Sequence, residues 1–177
     1  MLDIKSSVAA SNEAPTLKLN GGLEAQLISI GRNKEHNTVT IAAMIKNNGI
    51  NTAYLMLAGA PPMATDNTGT KYSSRSFGGV TACPSLDNGY TELCIGVTKT
   101  QENITPPLQS FTQIDPKTEL MVNFELVGNS GNGPLMTFAA TFMSRFVSDP
   151  VKDSTLSEKE KRQQIHLMNL SFTPAPV

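Results

Sequence analysis

Thr38-Val39-Thr40-Ile41-Ala42-Ala43-Met44-Ile45, running into Asn47-Asn48-Gly49, decides the fold of this chain. Val39, Ile41, Ala43 and Ile45 fall on one face of an extended segment, with Thr38, Thr40, Ala42 and Met44 on the other. The Asn-Asn-Gly that follows supplies residues tolerant of positive φ, as hairpin turns require. Thr52-Ala53-Tyr54-Leu55-Met56-Leu57 then reads as the returning strand, ended by Ala60-Pro61-Pro62 because proline has no ladder donor.

The same grammar repeats outward in both directions. Upstream, Leu23 to Ile30 reads as a first strand, and Gly31 to Asn37 as its polar connection. Downstream, Thr65-Asp66-Asn67-Thr68-Gly69-Thr70-Lys71-Tyr72 reads as a second turn with a strand on each side. Ser76 to Val80, Glu92 to Val97 and Leu108 to Ile114 are further extended segments. Leu120, Val122, Phe124 and Leu126 alternate within Glu119 to Val127, and Phe138, Ala140 and Phe142 share a face in Leu135 to Val147. One stretch departs from the period of two. Ser157-Glu158-Lys159-Glu160 has capping-box spacing and opens a run of good helix formers to Gln164. Ile165 to Phe172 then returns to strand.

Eight or nine short strands without sustained helical periodicity predict an all-β fold, an immunoglobulin-like antiparallel β-sandwich with one short helix before the last strand. The 177 residues suit one domain over 21–177, with 1–20 as a poorly ordered N-terminal lead-in.

Composition narrows the function classes. Fourteen lysines and arginines against fifteen aspartates and glutamates leave a net charge of −1. No long-range field collects nucleic acid or anionic lipid, and Arg75, Arg145 and Lys152 do not cluster with aromatics. Aromatic residues make up 6% and tryptophan is absent, so a stacking platform for sugars or bases has little material. No apolar run spans a bilayer. Met1 to Ala10 lacks the apolar stretch of a signal peptide.

Cys83 and Cys94 are the only cysteines. Asp87-Asn88-Gly89 between them predicts a tight loop with both at its base, and hence a Cys83–Cys94 disulfide worth about 3 kcal/mol. That pairing predicts an oxidising, extracytoplasmic compartment, periplasmic or secreted, for a chain whose export signal is not within it.

The catalytic inventory is thin. His36 and His166 lie far apart in sequence without an evident nucleophile beside either. Asp66-Asn67-Thr68-Gly69 falls short of calcium-loop spacing. Gly128 to Gly133 precedes Pro134 and a strand instead of a helix N-terminus, so it cradles no phosphate. Asn103-Ile104-Thr105 and Asn169-Leu170-Ser171 match the glycosylation pattern, which arises often by chance. No catalytic residue, cofactor or metal ligand is expected.

The strand Leu23 to Ile30, the unit Thr38 to Gly49, the turn Asp66 to Tyr72, Leu120 to Leu126 and the closing Ile165 to Phe172 together resemble bacterial immunoglobulin-like domains of unknown function, found in exported and lipid-anchored proteins. The resemblance implies a non-enzymatic protein-binding or scaffold module of the cell envelope with a protein partner. The alternatives are a structural subunit of a surface appendage or virus particle and, with least support, a β-sandwich hydrolase.

Overall fold

The computed structural model describes residues 16–83, 107–128 and 133–173, with the backbone alone of Arg162. Eleven strands appear among them: β1 Thr16–Lys18, β2 Leu23–Asn33, β3 Thr38–Asn47, β4 Thr52–Leu57, β5 Met63–Asp66, β6 Lys71–Gly78, β7 Thr81–Ala82, β8 Thr112–Ile114, β9 Glu119–Gly128, β10 Leu135–Val147 and β11 His166–Phe172. Two short helices, α1 Pro150–Asp153 and α2 Glu158–Gln163, lie between β10 and β11.

Antiparallel pairing orders β2-β3-β9-β6 in one layer and β4-β10-β11 in the other. In chain order these are the A-B-E-D and C-F-G sets of an immunoglobulin-like sandwich. The opening segment behaves as its alternation predicts. Val39, Ile41, Ala43 and Ile45 are fully buried, in one core with Leu55 and Leu57 of β4, Val122 and Phe124 of β9, Phe138 and Phe142 of β10, and Leu170 of β11. Phe124 and Phe138 meet across the layers with ring centroids 5.1 Å apart.

The second layer is covered on its outer face as well. Tyr54, Met56 and Ala58 point away from the main core and, with Met143 and Val147, pack under Cys83, Phe111, Leu108 and Ile165. This explains the unbroken apolar run from Ala53 to Leu57: a strand buried on both faces has no reason to alternate. Arg145 shares that outer face. Its guanidinium is buried against Asp153 at the end of α1 and donates to Gln164 Oε1 at 3.1 Å, tying the helical connection to the sheet.

Several elements differ from expectation. Leu108 to Ile114 is not one strand: Leu108–Ser110 forms a 3₁₀ turn and only Thr112–Ile114 pairs with β4. Pro107 carries no N–H, and its carbonyl instead accepts from Ser110 N–H and Oγ. The expected helix is present, with Glu160 N–H donating to Ser157 Oγ at 3.2 Å. A one-turn helix, α1, precedes it, opened by the Asp149 side chain capping Val151 N–H with Pro150 at its first position. Thr16–Lys18, grouped by sequence with the lead-in, pairs with β2, whose own pairing extends through Asn33.

Candidate functional site

Sheet edges carry unpaired backbone groups, and folded proteins shorten, bend, charge or cover them. Three of the four lateral sides of this sandwich are treated so. β5 pairs with β6 on one side and with β10 on the other, linking the layers there. The outer side of β4 is covered by two very short strands, β7 and β8, joined by Thr81 N–H donating to Thr112 Oγ1 at 2.8 Å. β2 is covered by β1 over Glu24 to Gln26, and its register then shifts at a bulge between Leu27 and Ser29.

Among the described residues, β11 has none of these devices. His166-Leu167-Met168-Asn169-Leu170-Ser171-Phe172 holds no proline and no lysine, arginine, aspartate or glutamate. Its register against β10 is unbroken from Ser144↔His166 to Phe138↔Phe172. Among the described residues β10 is its only partner.

Which backbone groups of β11 are open follows from three hydrogen bonds. Ala58 N–H donates to Thr141 O, so the odd residues of β10 direct their backbone groups toward β4. Cys83 N–H donates to Leu57 O, so Leu57, opposite Phe142, faces away from β10. Ser144 Oγ donates to His166 O, so that carbonyl faces β10. The even residues of β11 therefore pair with β10, and the N–H and C=O groups of Leu167, Asn169 and Ser171 project from the free edge. They repeat about every 6.8 Å, the spacing that one further strand would match.

Side chains continue that pattern. Met168, Leu170 and Phe172 turn into the core, while Leu167 is 50% exposed on the outer face. Asn169 Oδ1 accepts from Thr141 Oγ1 at 3.1 Å. His166, one of the two histidines weighed as a catalytic base, stands exposed at the start of this strand, and His36 lies in the β2–β3 turn.

The other polar clusters are engaged in holding the fold. Asp66 Oδ1 accepts from Thr68 N–H, Thr68 Oγ1 and Thr70 N–H, and Oδ2 accepts from Tyr72 OH at 3.0 Å. Burial opposes ionisation of Asp66, but these donors together hold its carboxyl below the ordinary value. Burial, then the bond to Asp66, pushes the Tyr72 phenol up. Arg32 completes this network, donating to Tyr72 OH at 2.9 Å. A groove of about 580 Å³ opens between the 107–113 segment and the helices, over Tyr54, Arg145 and Asp153. The charges lining it answer one another, Arg145 with Asp153 and Lys161 with Glu158 at 3.8 Å. Burial, then the nearby carboxylates of Asp115 and Asp153, raise the Tyr54 phenol.

Cys83 is buried in the outer cluster with its backbone bonded to β4; Cys94, its expected partner, lies outside the described residues. So do Asn103 and the centre of the Gly128 to Gly133 loop. Among the described residues, no helix is long and apolar enough to cross a membrane. Sequence reasoning named neither the open β11 edge nor the Arg145–Asp153 pair. The absence of charge and proline from His166 to Phe172 was the available signal for the first, and Asp149-Pro150 for the helix that carries Asp153.

No family model matches the chain, and no curated protein does. Two solved structures bear a distant likeness to it. The ASH/PapD-like domain 7 of human CEP192 is 13% identical, with a TM-score of 0.37 over 89% of this chain and 87% of that one. AvmM, described as catalysing macrocyclization in alchivemycin A biosynthesis, is 10% identical, with a TM-score of 0.32 over 89% and 91%.

Proposed function

We propose that this domain is a non-enzymatic binding or scaffold module of the bacterial cell envelope that engages a protein partner by strand addition along β11. The observation that carries the reading is an edge left open among the described residues: the groups of Leu167, Asn169 and Ser171 project from an unbulged, uncharged strand while the other sides are managed. Strand addition draws its affinity from main-chain hydrogen bonds and its selectivity from alternate side chains. The buried carboxylates Asp66 and Asp153 are both committed within the fold, which supports a contact role over hydrolysis. The extracytoplasmic placement rests on pairing of Cys83 with Cys94.

Amide hydrogen exchange tests the edge directly. Leu167, Asn169 and Ser171 should exchange far faster in the isolated chain than Met168 and Leu170, and slow when a partner captured from envelope extract is bound. Ser171→Pro removes one outward donor without touching the β10 ladder, and should abolish capture that Ser171→Ala retains. Concentration-dependent oligomers lost in Ser171→Pro would identify the partner as another copy, the arrangement of an appendage or particle subunit. Slow exchange at all three outward amides in the free monomer would refute the reading.

A further inference from the structure

The backbone groups left open on β11 among the described residues are symmetric about the midpoint of the strand. β11 runs His166–Phe172, so Asn169 is its central residue, with outward-facing Leu167 and Ser171 placed equally on either side. A two-fold axis through Asn169 lays the same strand of a second copy antiparallel beside it. This is the one register that pairs all seven residues. Asn169 then faces Asn169 of the copy, and Leu167 faces Ser171. These are hydrogen-bonded pairs, each exchanging two main-chain bonds. On the core side Met168 meets Leu170, carrying the apolar interior of one sandwich toward the other.

A two-fold contact makes a particular demand: a group on the axis meets itself, and like charges directly opposite one another repel. β11 carries no lysine, arginine, aspartate or glutamate, and β10 carries only Arg145, buried against Asp153. His166, the one titratable side chain of β11, falls opposite Phe172. No like-charge pair therefore opposes the contact across the four strands that adjoin the axis. The net charge of −1 adds little long-range repulsion between copies. The axial residue is an amide, which both donates and accepts. Asn169 Oδ1 accepts from Thr141 Oγ1 at 3.1 Å and keeps a second lone pair for the opposing Nδ2. A different protein partner gains speed and selectivity from complementary charge, and the described residues of this edge offer none. We infer that the strand added to β11 is β11 of a second copy, paired antiparallel about Asn169. The inference rests on the strand-addition reading and names its partner.

A single strand pair is small beside the roughly 1,600 Å² of a standard interface, so the dimer should be weak. Sedimentation equilibrium of the full chain at up to about 1 mM should show monomer and dimer exchanging. Asn169→Asp and Asn169→Lys each set like charges on the axis, and each should weaken association roughly tenfold or more at neutral pH and low salt. Mixed in equal amounts, the two folded variants should associate again, because a two-fold axis at this residue turns both repulsions into one attraction. Ser171→Pro, which leaves the axial residue alone, should abolish association independently. Circular dichroism verifies that each variant is folded. An unaltered chain that stays monomeric while its outward β11 amides exchange freely overturns the second copy as partner and leaves strand addition standing. A dimer that survives both charge variants, or folded charge variants that stay apart on mixing, puts the contact elsewhere and overturns the inference. Protection of the outward amides in the monomer overturns both readings.

Discussion

Replacing Asp153 by alanine should destabilise the domain by about 3–5 kcal/mol, the usual cost of leaving a buried charge uncompensated. The side chains of Arg145 and Asp153 are 1% and 7% exposed, so this pair belongs with buried ion pairs and not with surface pairs worth about 0–1 kcal/mol. Truncation leaves Gln164 Oε1 as the polar partner of a guanidinium whose Nε already makes no hydrogen bond among the described residues. For a urea dependence of about 2 kcal/mol per molar, the midpoint should fall by about 1.5–2.5 M. Far-UV circular dichroism suits the measurement, since the chain has no tryptophan. The double variant Arg145→Met with Asp153→Leu should recover most of the loss, because apolar residues of similar volume often replace a buried pair without penalty. A loss below about 1 kcal/mol in Asp153→Ala, or a double variant no more stable than the single, would refute the assignment of this pair as the clamp on the helical connection.

Asp66→Asn should flatten the acid limb of the stability curve. The carboxyl is held below its unfolded value of 3.8, so its contribution is fully present above that pH and lost as pH falls through the folded value; an unchanged acid limb contradicts this. Asn47→Ala should lower the melting temperature by about 5–10 °C. The buried amide donates to Asn51 O and Ile114 O at 2.9 Å and accepts from Gly49 N–H at 3.0 Å, and a near-neutral result would mean those groups find other partners. Cys83 and Cys94 should resist alkylation in protein purified without reductant and become labelled after reduction, as mass spectrometry reads. Labelling before reduction would remove the basis for export.

The sandwich was legible because its strands follow the period of two wherever one face is wet. Val39 to Ile45, Leu120 to Leu126 and Phe138 to Phe142 all turned the expected side chains into the core. The period fails at β4, where a second apolar cluster buries the outer face and both sets of side chains become apolar. It fails again at Leu108 to Ile114, where Phe111 is apolar in order to roof that cluster and not to line a strand. The candidate site was harder to read. An open edge is a relation between β11 and every other element, so its sequence trace is only the missing charges and proline of His166 to Phe172. Arg145 and Asp153 are separated by the Asp149-Pro150 turn, and nothing in their spacing announces that α1 folds back onto β10.

β10 shares backbone hydrogen bonds with β5, β4 and β11, and through β5 and β6 it reaches the opposite layer. A tensile load entering along β11 therefore meets the seven paired positions of the β10 ladder in parallel, and they shear together instead of unzipping one by one. From β10 the force divides between both layers. A module joined to its neighbour along that edge would be a stiff link in an assembly under load, yielding only when a whole ladder breaks.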